Sequence, residues 1–142
     1  WSSDVCSSDL MQVGTPAFMA PEAAHGGNNM SNAIDVYSFG ILLWTITTSR
    51  NPYHYLDSIT PLQLLSQVVA GVRPIITEDI DVSYPELVVL MRRCWDYNVS
   101  ARPTFLEISK ELKLLQKREH NRLMLLLKEQ PTKDDHNQTE EV

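Results

Sequence analysis

Four histidines, two cysteines and five glycines are the first places to look for chemistry in this chain of 142 residues. The histidines, at positions 25, 54, 120 and 136, share no ligand spacing, so no metal site is expected. Gly14, Gly26, Gly27, Gly40 and Gly71 form no Gly-x-Gly-x-x-Gly cradle for a phosphate. Cys6 and Cys94 supply neither a disulfide framework nor paired metal ligands. Cys94 shares the helical spacing of Leu87, Leu90 and Met91 and reads as a small core residue, and a reducing, intracellular setting fits. Asp35 stands out, because it sits in an almost wholly apolar segment. A carboxylate buried there without hydrogen-bond partners costs several kcal/mol. At the N-terminus of a helix it would instead gain under about 1 kcal/mol from the helix dipole.

The elements that must position these residues follow from apolar spacing and from breakers. Gly14–Ala17 reads as an extended loop, since the residue before Pro16 is pushed out of the helical region. Pro21 opens one short helical turn over Ala20–Ala24, and His25–Asn29 is a breaker cluster. Ser31 is placed to cap a helix over about 32–48 that is apolar almost all round and therefore reads as buried. Arg50–Asp57 is a loop. Thr60-Pro61 starts a second helix ending before Gly71, with Leu62, Leu65, Val68 and Val69 on one face. Residues 72–84 carry Pro74 and a cluster of acids and read as an irregular surface connection. Pro85 starts a third helix, in which Leu87, Leu90, Met91, Cys94 and Trp95 recur at helical spacing. Thr104 and Glu107 form a capping box for a fourth, with Phe105, Ile108, Leu112 and Leu115 facing inward and the pattern running on through Leu127 towards Pro131. No run alternates at period two, so the fold class is mainly α.

Charge and composition exclude several functions. The net charge of −6 argues against a nucleic-acid partner. The longest apolar stretches, Gly40–Trp44 and Leu123–Leu127, are far short of the roughly 18 residues of a membrane span, so no transmembrane segment is expected. No secretory signal pattern opens the chain. The first lysine is Lys110: up to Ser109 there are five arginines and eleven acids, for a net −6, and beyond it seven basic residues meet seven acids.

Four motifs together carry a resemblance. Gly14-Thr15-Pro16-Ala17-Phe18-Met19-Ala20-Pro21-Glu22 resembles the end of a protein-kinase activation segment with its Ala-Pro-Glu signature. Asp35-Val36-Tyr37-Ser38-Phe39-Gly40 is similar to the Asp-Val-Trp-Ser-Phe-Gly of the central helix that follows, with Tyr37 in place of the usual Trp. Cys94-Trp95 and Arg102-Pro103-Thr104-Phe105 resemble the closing helices, best matched in the tyrosine-kinase and tyrosine-kinase-like branches; the family's Asp-Pro between them is Asn98-Val99 here. The resemblance runs from about Val13 to Leu115.

It implies a fold, the C-terminal half of a protein-kinase large lobe: the end of the activation segment plus four to five helices, an incomplete domain. It also implies roles. Glu22 and Arg102 would form a buried salt bridge tying the activation segment to the last helices, Asp35 would hold the catalytic loop by accepting its backbone N–H groups, and Trp95 would be structural. Gly14, Thr15, Pro16, Ala17 and Phe18 would form the platform for the residue after the phosphoacceptor, with Gly14-Thr15 favouring Ser/Thr over Tyr. No residue of this chain is expected to be catalytic or to bind a cofactor or metal. The glycine-rich loop, the phosphate-pairing Lys, His-Arg-Asp and Asp-Phe-Gly are missing, and thirteen residues before Gly14 are too few for a small lobe.

The organisation expected is a leader over 1–12, either foreign or flexible, a partial kinase domain over 13–116, a helical extension over 117–130 and a disordered tail over 131–142. The parent would use ATP and Mg²⁺ on protein substrates inside the cell, in the cytoplasm or on the cytoplasmic side of a receptor, with the missing N-terminal part of the kinase domain as this chain's partner. The alternative is a non-catalytic docking or scaffold module using the surface around residues 60–95, and a third reading is an unrelated helical domain. The basic stretch Lys110–Lys128 suits a membrane surface, a partner helix or a solvated extension. Alone, the chain is expected to be inactive and to be poorly soluble or molten, because the apolar helix would lack its cover.

Overall fold

The computed structural model describes residues 16–25, 31–56 and 58–128. The expected leader, the tail from 131, Gly14 and Thr15 lie outside the described residues. The remainder holds five α-helices, with three short 3-10 turns and no strand among the described residues. The helices are α1 (Asn32–Thr48), α2 (Pro61–Val69), α3 (Glu78–Ser83), α4 (Pro85–Cys94) and α5 (Phe105–Lys128).

Their ends follow from local chemistry. Thr60 and Gln63 close a capping box on α2: the Gln63 N–H donates to Thr60 Oγ1 at 3.2 Å and the Thr60 N–H to Gln63 Oε1 at 2.7 Å. Gly71, at φ 98°, takes the left-handed conformation that ends α2 and that a β-carbon would strain. Thr104 and Glu107 close the same box on α5, with the Thr104 N–H donating to Glu107 Oε2 at 2.7 Å. Ser31 occupies the N-cap of α1 with extended backbone, but its side chain makes no capping bond.

Several elements differ from expectation. Pro16–Phe18 is a 3-10 turn rather than an extended loop, closed by the Met19 N–H on the Pro16 carbonyl at 3.2 Å. Pro16 has its φ fixed near helical values, and that preference wins locally. Within 72–84, α3 forms where an irregular connection was read. Glu78, Asp79 and Asp81 crowd its first turn, where the helix dipole favours acids. Phe105, expected to face inward, is exposed, and so is Leu62, read on one face with the buried Leu65 and Val68. Phe105 keeps only an edge-on contact with Phe39, ring centroids 6.0 Å apart.

The core lies where α1 crosses α4. Tyr37, Ile41 and Trp44 of α1 pack with Met91, Trp95, Val68 of α2, Tyr53 and Ala20. Gly40 permits the crossing: a β-carbon there would sit 2.7 Å from Cys94 Cβ. α2 packs on the turns Pro16–Phe18 and Pro21–His25. The chain divides into two compact units at Ile108/Ser109, so the first turn of α5 belongs to one unit and the rest to the other.

α1 is not buried all round. Val36, Tyr37, Gly40, Ile41 and Trp44 face the core, whereas Asp35, Leu42 and Ile46 are exposed, Ile46 by 67%. Spacings of seven and four put those three on one side of the helix. Asp35 therefore bears no burial cost, and the concern raised by its apolar surroundings does not arise.

Candidate functional site

The centre of the first unit is a guanidinium. Arg102 precedes Pro103, which keeps it extended at φ −70° and ψ 139° and turns its side chain back under the fold. Its Nη1 and Nη2 donate to Glu22 Oε1 and Oε2 at 2.5 and 3.0 Å, a two-pronged ion pair across 80 residues of sequence. The same guanidinium donates to the carbonyls of Ala33, through Nη1 at 2.8 Å, and of Asp96, through Nε at 2.9 Å. The Arg102 side chain is completely buried, while that of Glu22 is 28% exposed. Burial pushes the Glu22 carboxyl upward, but the hydrogen bond and charge of Arg102 outweigh it and hold the pKa below its ordinary 4.5.

Two turns bring these partners together. Pro21 opens the 3-10 turn that carries Glu22. On the other side, the Asn98 N–H donates to Asp96 Oδ1 at 2.7 Å and the Ser100 N–H to Asn98 Oδ1 at 3.1 Å, so two successive side-chain turns shape the approach to Arg102. Asn98, standing where the family has a different residue pair, does this with its side-chain oxygen.

A second arginine, which sequence reading passed over, completes the centre. Arg73 donates through Nε to the Trp95 carbonyl at 3.0 Å and through Nη1 to the carbonyls of Val68 and Val72 at 3.0 and 2.9 Å. Both guanidiniums lie over the Tyr37 ring, that of Arg73 5.0 Å and that of Arg102 5.2 Å from its centroid. A signal existed in the sequence: Arg73-Pro74 and Arg102-Pro103 are the same dipeptide, and both prolines are buried. The hydroxyls of Tyr37 and Tyr53 are buried beside one another without a well-formed hydrogen bond, and burial pushes both phenols above their ordinary 10.0.

The other sequence-predicted residues are spread around this centre. Pro16, Ala17 and Phe18 are half-buried, and Ser38 Oγ of α1 donates to the Phe18 carbonyl at 2.8 Å, anchoring that turn. Trp95 is buried and gives its carbonyl to Arg73. Asp35 is exposed, on the opposite side of α1 from Tyr37. A cleft of about 170 Å³ lies between Trp44, Arg50, His54, Ile75 and Asp79. Its indole N–H is already engaged, donating to the Ile75 carbonyl at 2.9 Å.

A family model described as protein tyrosine and serine/threonine kinase matches residues 3–112. The chain belongs to this family, and what it contributes is part of the catalytic domain's large lobe. Similar proteins include dual specificity protein kinase shkB of Dictyostelium discoideum, 42% identical over 72% of this chain and 15% of that protein. Serine/threonine-protein kinase STY46 of Arabidopsis thaliana is 36% identical over 75% of this chain and 17% of its own length. Human receptor-interacting serine/threonine-protein kinase 1 is 37% identical over 65% and 14%. The chain thus spans about one-seventh of the length of such relatives. Among the described residues, no helix is long and apolar enough to cross a membrane.

Proposed function

We propose that this chain is the C-terminal half of the large lobe of a kinase whose whole form transfers the γ-phosphoryl of ATP to Ser or Thr of protein substrates inside the cell. The observation that carries this reading is the ion pair of Glu22 with buried Arg102, which joins the Ala-Pro-Glu turn to the closing helices. Gly14-Thr15 and the serine/threonine kinases among the relatives support the choice of hydroxyl. Residues 13–116 are the lobe portion, 117–130 a helical extension, and Pro16–Phe18 part of the substrate platform.

The residues present do not fit ATP or Mg²⁺. No lysine precedes Lys110, Glu22 is committed to Arg102, and among the described residues no three His, Cys, Asp or Glu side chains converge. The upstream half of the domain would supply those groups and would cover the face of Asp35, Leu42 and Ile46, with Asp35 accepting N–H bonds from its catalytic loop. The isolated chain is accordingly inactive. Incubation with labelled ATP, Mg²⁺ and a generic basic protein substrate should give no incorporation above a blank. Sequencing the parent transcript should reveal the phosphate-binding and catalytic motifs upstream of Gly14. Phosphorylation by the chain alone, or a transcript without those motifs, would overturn this reading.

A second reading, a non-catalytic docking module, draws on Leu62, Val82, Tyr84 and Val89, which stand exposed on the surface around 60–95. A native start codon near Met11 would favour it.

A further inference from the structure

One hydroxyl of α1 leaves its own helix. The helix carries four Ser or Thr side chains, Ser38, Thr45, Thr47 and Thr48. The three threonines each donate to the carbonyl four residues back, those of Ile41, Leu43 and Trp44, at 2.9, 2.8 and 2.9 Å. Ser38 has the same kind of acceptor in the Ile34 carbonyl at 3.2 Å, yet its Oγ lies closer, at 2.8 Å, to the carbonyl of Phe18. A hydroxyl has one proton to donate, and the shorter contact takes it. The Ile34 carbonyl loses little by this, because inside the helix it already accepts the Ser38 backbone N–H.

The turn that receives this bond is weakly closed. Its own hydrogen bond, from the Met19 N–H to the Pro16 carbonyl, is 3.2 Å, at the long end of the normal range. Ala17 and Phe18 pack against the core and α2 packs on the same turn, but apolar contact is non-directional and does not set the turn's tilt. Downstream the chain is fixed, with Met19 and Ala20 buried and Glu22 held by Arg102. The bond from Ser38, with its angular demand, fixes the turn itself on a rigid helix. We propose that Ser38 is a positioning residue for the protein substrate: through the Phe18 carbonyl it sets the tilt of the platform on which the residue after the phosphoacceptor rests. It acts on substrate fit without touching substrate. This inference rests on the kinase reading above and on Pro16–Phe18 being part of that platform.

The test uses the whole kinase expressed from the parent transcript and serine peptides that differ only in the residue after the phosphoacceptor. Ser38→Ala should raise KM for the best peptide about fivefold, the worth of one net hydrogen bond, and narrow the spread of kcat/KM across the peptides. Both kcat and KM for ATP should stay within about twofold. Ser38→Thr keeps the hydroxyl and should restore most of the KM. Ser38→Cys, a weaker donor of nearly the same shape, should give a smaller rise, and it carries the test if the alanine variant fails to fold. Hydrogen exchange at the Met19 amide should quicken in Ser38→Ala and not in Ser38→Thr, which reads the turn without any turnover. A merely structural bond would lower the melting temperature and leave KM and the peptide ranking unchanged, and that result overturns the proposal. So does a threonine variant that folds but does not restore KM, or Met19 exchange indifferent to both variants. If instead the unaltered whole kinase phosphorylates no protein or peptide, the catalytic reading fails and this proposal falls with it.

Discussion

On one side of α1, Tyr37, Ile41 and Trp44 are sealed against α4 and two arginines; on the other, Asp35, Leu42 and Ile46 stand in water. The two sides come from one helix that carries large apolar residues on both, so composition does not separate them. Partners do. On the core-facing side the charged and close-packed groups find counterparts within residues 16–108, with Glu22 on Arg102, Arg73 on three carbonyls, and Gly40 against Cys94. The outward side has no counterpart among the described residues. A carboxylate and two large aliphatic side chains aligned on one side of a helix are what an interface with an upstream segment would leave behind.

Breaking the closed side should have the largest effect. Glu22→Ala leaves the Arg102 charge buried beside carbonyls alone, and about 3–5 kcal/mol of stability should be lost. Denaturant midpoints measure it. Gly40→Ala forces a β-carbon against Cys94 where α1 crosses α4, and should cost about 1–3 kcal/mol by the same assay. The clasp also predicts an acid sensitivity. Because the folded Glu22 carboxyl titrates below 4.5, its stabilisation is complete above that pH and is lost as pH falls through the lowered folded value. Glu22→Gln should flatten that acid limb, as followed by tryptophan fluorescence.

Changes to the open side sharpen the contrast. Leu42→Lys with Ile46→Lys should alter the stability of this chain by no more than about 0.5 kcal/mol while raising its solubility, because neither side chain is buried. In the whole kinase the same pair should be strongly destabilising, and thermal shift of both proteins makes the comparison. The smallest effect belongs to Tyr37→Phe. It removes a buried hydroxyl that makes no well-formed hydrogen bond while keeping the ring beside both guanidiniums, so stability should hold or rise slightly.

Much of this was legible in the sequence, for identifiable reasons. Thr60-Pro61, Thr104 with Glu107, and Gly71 are local signals, and α2 begins and ends, and α5 begins, where those signals stand. Pro16–Phe18 and α3 were misread because short turns depend on one proline or a few acids rather than on apolar period. Reading α1 as buried all round failed because an apolar period cannot say which side finds a partner. Of the centre, Glu22 and Arg102 were found through a family resemblance, not through spacing. Arg73 was missed although Arg73-Pro74 repeats Arg102-Pro103, and only three-dimensional packing shows both cations on one tyrosine ring.

The most direct test is a double-mutant cycle on Glu22 and Arg102, each changed to Ala, singly and together. It is run by pulse proteolysis in urea on the chain kept soluble by Leu42→Lys and Ile46→Lys. A buried two-pronged pair predicts strong coupling, the double variant losing at least about 2 kcal/mol less than the sum of the singles. Additive losses would mean that the two groups do not meet, and the kinase-lobe architecture assigned to this chain would be contradicted.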